Sequence, residues 1–214
     1  MISEPLIKLL LNAAIVALVF YSIIIHEFSH ALAAYMLGDD SAKRAGRLTL
    51  NPLKHIDWFG TVLLPLLLYF TAHFIYGYAK PVPFNPYNFK NFKRDSGLTA
   101  LAGPVSNILI AVAFALVYHF TGNLPYVQHV SAYVVFLNLL LAFFNLIPVP
   151  PLDGSKVIGM VLSDDAYYKW TLQERKGMLF LFGFIIISNL LGLNLIGQII
   201  MPPVKFMMHL LGIG

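Results

Sequence analysis

Five long apolar runs divide this chain: Leu6 to Leu37, Phe59 to Tyr78, Leu98 to Thr121, Ala132 to Ile147 and Met178 to Met201. A helix that crosses a bilayer needs about 20 apolar residues. Lipid admits only helices and closed barrels, because every backbone group must find its partner inside the structure. Composition agrees, with 58% hydrophobic and 11% charged residues and a mean hydropathy of +0.75. The reading is an all-α polytopic integral membrane protein of about five to six hydrophobic segments. It forms one transmembrane domain over residues 1–214, with the lipid bilayer as its main surroundings. The first run is too long for a signal-peptide core and no small-residue cleavage site closes it, so it is expected to be retained. The net charge of +4 is accounted for by basic loops, and no nucleic-acid partner is expected. With no cysteine present, disulfides and thiolate metal sites are excluded.

Charge in the linkers sets the topology. Asp39 to Asp57 carries Lys43, Arg44, Arg47 and Lys54, and Ala79 to Gly97 carries Lys80, Lys90, Lys93 and Arg94. Short basic loops stay cytoplasmic, yet these two flank the run Phe59 to Tyr78. That run also contains Pro65, His73 and Gly77. The expectation is therefore that this run enters and returns on the same side, as a re-entrant element or a pair of tilted helices covered by protein, with a plain crossing as the alternative; the fold class then carries a short re-entrant or β-hairpin element after the first helix. The first and fourth runs then end at the same, cytoplasmic, face. The segment "GRLTLN", Gly46 to Asn51, alternates polar and apolar residues and is predicted to be a short strand.

The apolar run "IVALVFYSIII" is followed directly by "HEFSH", residues 26 to 30. His26 and His30 are four apart, so on a helix they share one face and can hold one Zn²⁺. Glu27 beside them can act as general base. The pattern alone is weak, but an ionisable residue within a membrane segment points to function. A catalytic zinc takes three protein ligands and keeps an open position. The best third candidate is Asp153 in "NLIPVPPLDG", where three prolines break the helix and let the carboxylate turn inward. His55, in "NPLKHID", is a weaker candidate for orienting groups near the site. His73, His119, His129 and His209 are expected to be structural or interfacial.

Together, "HEFSH" and "NLIPVPPLDG" on separate hydrophobic segments resemble the site-2 protease family of intramembrane zinc metalloproteases. The stretches "RLTLNPLKHIDWFGT", "AKPVPFNPYNF" and "ALAGPVSN" are similar to its small prokaryotic branch, without PDZ or CBS domains. The resemblance implies that His26, His30 and Asp153 ligate zinc and that Glu27 is the catalytic acid/base. It implies that Asn107, at the GxxxN position in "GPVSN", contacts substrate backbone or the transition state. Asn145 would play a similar polar role. The implied activity is a zinc metalloendopeptidase in the cell membrane, cleaving transmembrane protein or peptide substrates near the cytoplasmic side. An unwound substrate helix would need backbone partners, which the strand at Gly46 to Asn51 is expected to supply. Two alternatives stay open on the residues alone: a membrane metal-binding protein or metal transporter without protease activity, and a non-catalytic subunit with a structural zinc.

Overall fold

The computed structural model of the protein describes residues 3–57, 63 and 82–213. Their regular secondary structure is helical, joined by turns and short extended stretches, and no strand occurs among them. In chain order the α-helices are α1 (Glu4–Met36), a single turn α2 (Ser41–Arg44), α3 (Phe92–Phe120), α4 (Pro125–Asn145), α5 (Asp153–Gly159), α6 (Asp164–Thr171), α7 (Glu174–Leu190) and α8 (Leu195–Leu210). Helices α1, α3 and α4 are each long and apolar enough to cross a membrane, and α7 and α8 contribute shorter apolar stretches. The chain is a multi-pass membrane protein.

Packing centres on α3. Its buried positions Gly97, Ala100, Gly103, Pro104, Asn107, Ala111 and Ala115 recur at helical spacing and are mostly small. Small residues let helix backbones approach closely where lipid provides no hydrophobic drive between helices. One face receives α1, and α4 packs alongside both. Ala111 and Ala115 join Val135 and Leu139 of α4 and Ile200 and Val204 of α8 in the main apolar cluster. The N-terminus of α3 is closed reciprocally: Asn91 accepts from the Arg94 N–H, and Asp95 accepts from the Asn91 N–H.

Three expectations change. The fourth run is lengthened at its start, where α4 begins at Pro125 in the first helical turn, a position that suits proline. The last run is two helices, because Gly192 and Asn194 take positive φ between α7 and α8. Gly46 to Asn51 form turns and bends instead of a strand. Arg47 N–H returns to the Ala42 carbonyl, and Asn51 caps the turn Pro52–Lys54 by accepting from Leu53 N–H. Local capping here outcompetes the extended form suggested by alternation. The re-entrant element expected at Phe59 to Tyr78 lies, apart from Leu63, outside the described residues.

Beyond α1, a buried carboxylate organises the next surface. Asp39 accepts from Ser41 N–H and Oγ–H, from Asn85 N–H at 2.7 Å and from the Asn88 amide at 2.7 Å. The extended strap 82–85 is thereby tied to the end of α1. Burial alone would raise the Asp39 pKa, but the hydrogen bonds from Ser41, Asn85 and Asn88 outweigh it and hold the carboxyl below its ordinary value. The stabilisation is present in full above the unfolded pKa of about 3.9 and is lost as pH falls through the lower folded value. Asp39→Ala leaves buried donors unmatched, at about 1–3 kcal/mol. Hydrogen exchange at the Asn85 amide should accelerate roughly tenfold or more, and unchanged exchange would remove the clamp.

Candidate metal centre

The second half of α1 carries His26, Glu27 and His30. At 1.5 Å per residue, about 33 Å of helix separates Glu4 from His26, close to the hydrocarbon thickness of a bilayer. Helix α3 runs antiparallel beside α1: His26 meets Asn107, and His30 meets Thr99. Helix α4 ends at Asn145, the proline-rich turn follows, and Asp153 opens α5. Gly154 makes the turn possible, because a Cβ there would collide with the Leu146 and Ile147 carbonyls.

These elements bring three ligand atoms together. Asp153 Oδ2 lies 3.3 Å from His26 Nε2 and 3.3 Å from His30 Nε2. The two Nε2 atoms are 3.0 Å apart. Each Nδ1 is engaged behind: His26 with Asn107 Oδ1 at 2.6 Å, His30 with the Thr99 carbonyl at 2.8 Å. Both partners only accept, so each Nδ1 carries the proton and donates it. With Nδ1 carrying the proton, each Nε2 is left to present a lone pair toward the other ring and the carboxylate. Such a convergence of acceptors repels itself unless a cation lies among them. Zn–N bonds of about 2.0–2.1 Å at tetrahedral angles put ligand atoms roughly 3.3 Å apart, which fits. The donor set of two imidazoles and one carboxylate is also a zinc set. Among the described residues, His26, His30 and Asp153 form the cluster able to hold a metal ion.

Glu27 faces the same space. Its Oε2 accepts from the Val82 N–H at 3.2 Å, so the strap reaches the site. A cavity of about 220 Å³ opens here, bounded by Glu27, Val82, Phe84, Ala100, Asn145 and Lys156 around the three ligand candidates. Lys156 Nζ sits 4.7 Å from the centre of the Phe84 ring, a cation–π contact that holds the strap from the α5 side.

The remaining expected site residues divide. Asn145 is at the cavity wall, with one amide N–H on the Leu141 carbonyl. Asn107 is fully buried behind His26 and is absent from the cavity lining. His55 is also fully buried and absent from that lining; its Nε2 bonds the Thr49 carbonyl within the 49–55 turn. Thr99 and Val82 act through backbone atoms, which no residue type advertises. Lys156, three residues beyond Asp153, shares its helical face and was open to prediction.

The chain's relatives carry the same chemistry in their names. The model of Peptidase family M50 matches residues 121–190, a stretch that includes Asp153 but not His26 or His30. Three relatives are each named as a putative zinc metalloprotease. YwhC of Bacillus subtilis is 39% identical over 167 residues, 74% of this chain and 73% of its own. MJ0611 of Methanocaldococcus jannaschii is 32% identical over 63% of each chain. Rip2 of Mycolicibacterium smegmatis is 30% identical over 62% of this chain and 51% of its own length. No solved structure matches. An identity of 39% sustained across most of both chains places this chain in the peptidase M50, or site-2 protease, family of zinc metalloproteases.

Proposed function

We propose that the protein is an intramembrane endopeptidase that cuts transmembrane segments of membrane proteins near the cytoplasmic face. One observation carries this reading: the ligand cluster and Glu27 open onto one cavity beside the second half of a membrane-length helix. His26, His30 and Asp153 would hold the zinc ion. Zinc bound there supplies Lewis-acid polarisation of the scissile carbonyl and acidifies the attacking water.

The chain's own groups do the rest. Glu27 takes the proton of the attacking water and delivers it to the leaving amine. Val82 N–H fixes one carboxylate oxygen, which leaves the other to handle the proton. Asn145 spends one N–H on Leu141 and offers the second to the developing oxyanion or the substrate backbone. An unwound substrate also brings backbone donors that lipid cannot satisfy. Pro104 has no N–H, so the Ala100 carbonyl at the cavity wall lacks its usual partner in α3 and is placed to accept one of them.

The test is cleavage-site mapping on a reconstituted single-span reporter, with and without a zinc chelator. The expected result is a cut inside the transmembrane segment toward its cytoplasmic end, abolished by chelation and restored by zinc. A cut confined to a soluble flank, or one indifferent to chelation, would overturn the reading. Zinc-dependent metal uptake into vesicles without cleavage would replace it with a transporter.

A further inference from the structure

Behind His26 lies a polar chain with no contact to the cavity. Asn107 Nδ2 donates to Asn138 Oδ1 at 2.9 Å. Asn138 Nδ2 donates to Ser22 Oγ at 3.1 Å and to the Val134 carbonyl at 2.9 Å. Ser22 Oγ–H donates to the Leu18 carbonyl at 2.9 Å. Ser22, Asn138 and Asn107 are all buried, on α1, α4 and α3 respectively.

The direction of every bond follows from its far end. Leu18 and Val134 offer carbonyls, which only accept. Ser22 must therefore give its proton to Leu18 and receive from Asn138. Asn138 must turn its NH₂ toward Val134 and Ser22, which leaves its Oδ1 facing Asn107. Asn107 must then answer with its NH₂, which turns its own Oδ1 toward His26. An acceptor at that point forces the proton onto His26 Nδ1 and leaves Nε2 as a lone pair. Were the Asn107 amide reversed, its NH₂ would face Nδ1 and the proton would move to Nε2, where no metal could be ligated.

We infer that Asn138, supported by Ser22, is a positioning residue that locks the Asn107 amide and through it holds His26 in the tautomer that can ligate metal. This rests on the reading of His26, His30 and Asp153 as the metal site. The alternative is that Asn138 is polar glue between helices, as buried amides in membrane bundles often are.

Zinc affinity of the full chain in detergent, measured by chelator competition, separates the two, with the visible spectrum of the cobalt-substituted protein as a second readout. Asn138→Leu keeps the branched heavy-atom skeleton but removes the acceptor, and should weaken zinc binding about 10–100-fold and alter the cobalt bands. Asn138→Ala is the companion truncation should the leucine variant fail to fold. Asn138→Asp still presents an acceptor to Asn107 and, protonated, a donor to Val134; it should keep wild-type affinity. In an Asn107→Asp background His26 faces only acceptors, and Asn138→Leu should then cost nothing. Wild-type affinity in both Asn138→Leu and Asn138→Ala, or an equal loss in Asn138→Asp and in the Asn107→Asp background, would overturn the inference. If His26→Ala itself binds zinc as tightly as wild type, the metal-site reading fails instead.

Discussion

Glu27→Gln is expected to lower the turnover of a transmembrane reporter by about 10²–10⁴-fold while zinc stays bound. The substitution is nearly isosteric. A glutamine carbonyl still accepts from the Val82 N–H that holds Oε2, so the strap and the cavity wall keep their places. Glu27 is also not one of the three atoms that converge on the metal position. What is lost is the capacity to accept a proton from water and return it to the leaving amine. The fall should therefore appear in kcat with KM little changed, as for an interaction made only along the reaction path. Metal content by atomic emission and single-turnover cleavage on the same preparation make the measurement. Wild-type turnover in Glu27→Gln would remove Glu27 as the base, and loss of zinc would make it part of the binding site.

How much of this was legible beforehand depends on which atoms act. His26 and His30 were readable because four-residue spacing has one geometric meaning on a helix. Asp153 was readable because a carboxylate just after a proline break in an apolar run is costly without a role. The meeting of the two segments followed from basic loops, and the structure brings them together at 3.3 Å. Thr99 and Val82 were invisible, since a carbonyl and an amide belong to every residue type and only tertiary placement gives them a task. Asn138 stood out in kind, an amide within "VVFLNLLL", but its partners on α1 and α3 could not be read from periodicity. Asn107 was seen, but it stands behind its histidine and not in front of it: spacing places a residue on a face and does not say which neighbour fills the space beyond. Alternation in "GRLTLN" failed for a related reason. A strand needs an edge to pair with, whereas Asn51 and Pro52 could close a turn locally.

Gly103→Ala should abolish zinc binding with a single methyl group. Helix α3 backs directly onto the two histidines at this position. A Cβ on Gly103 would overlap His30 Nε2, and would sit 2.5 Å from His30 Cε1 and 2.6 Å from His26 Cε1. Carbon atoms rest about 3.5–4.0 Å apart, so the rings or the helix must move by roughly 1 Å. The rings have little room to yield, because Asn107 and Thr99 of the same helix hold their Nδ1 atoms. The helix can retreat only by opening the small-residue contact along Ala100, Pro104 and Asn107. Both ligands are displaced together, and the loss of zinc affinity should exceed the 10–100-fold typical of changes behind a ligand. Gly183→Ala is the control: a Cβ there meets nothing within 4 Å, and alanine is the better helix former by about 1 kcal/mol. Chelator competition on both variants, with circular dichroism to follow the fold, should show zinc lost from one and kept by the other. Wild-type affinity in Gly103→Ala would mean that α3 does not press on His26 and His30, and would detach the small-residue face of α3 from the chemistry it is argued to shape.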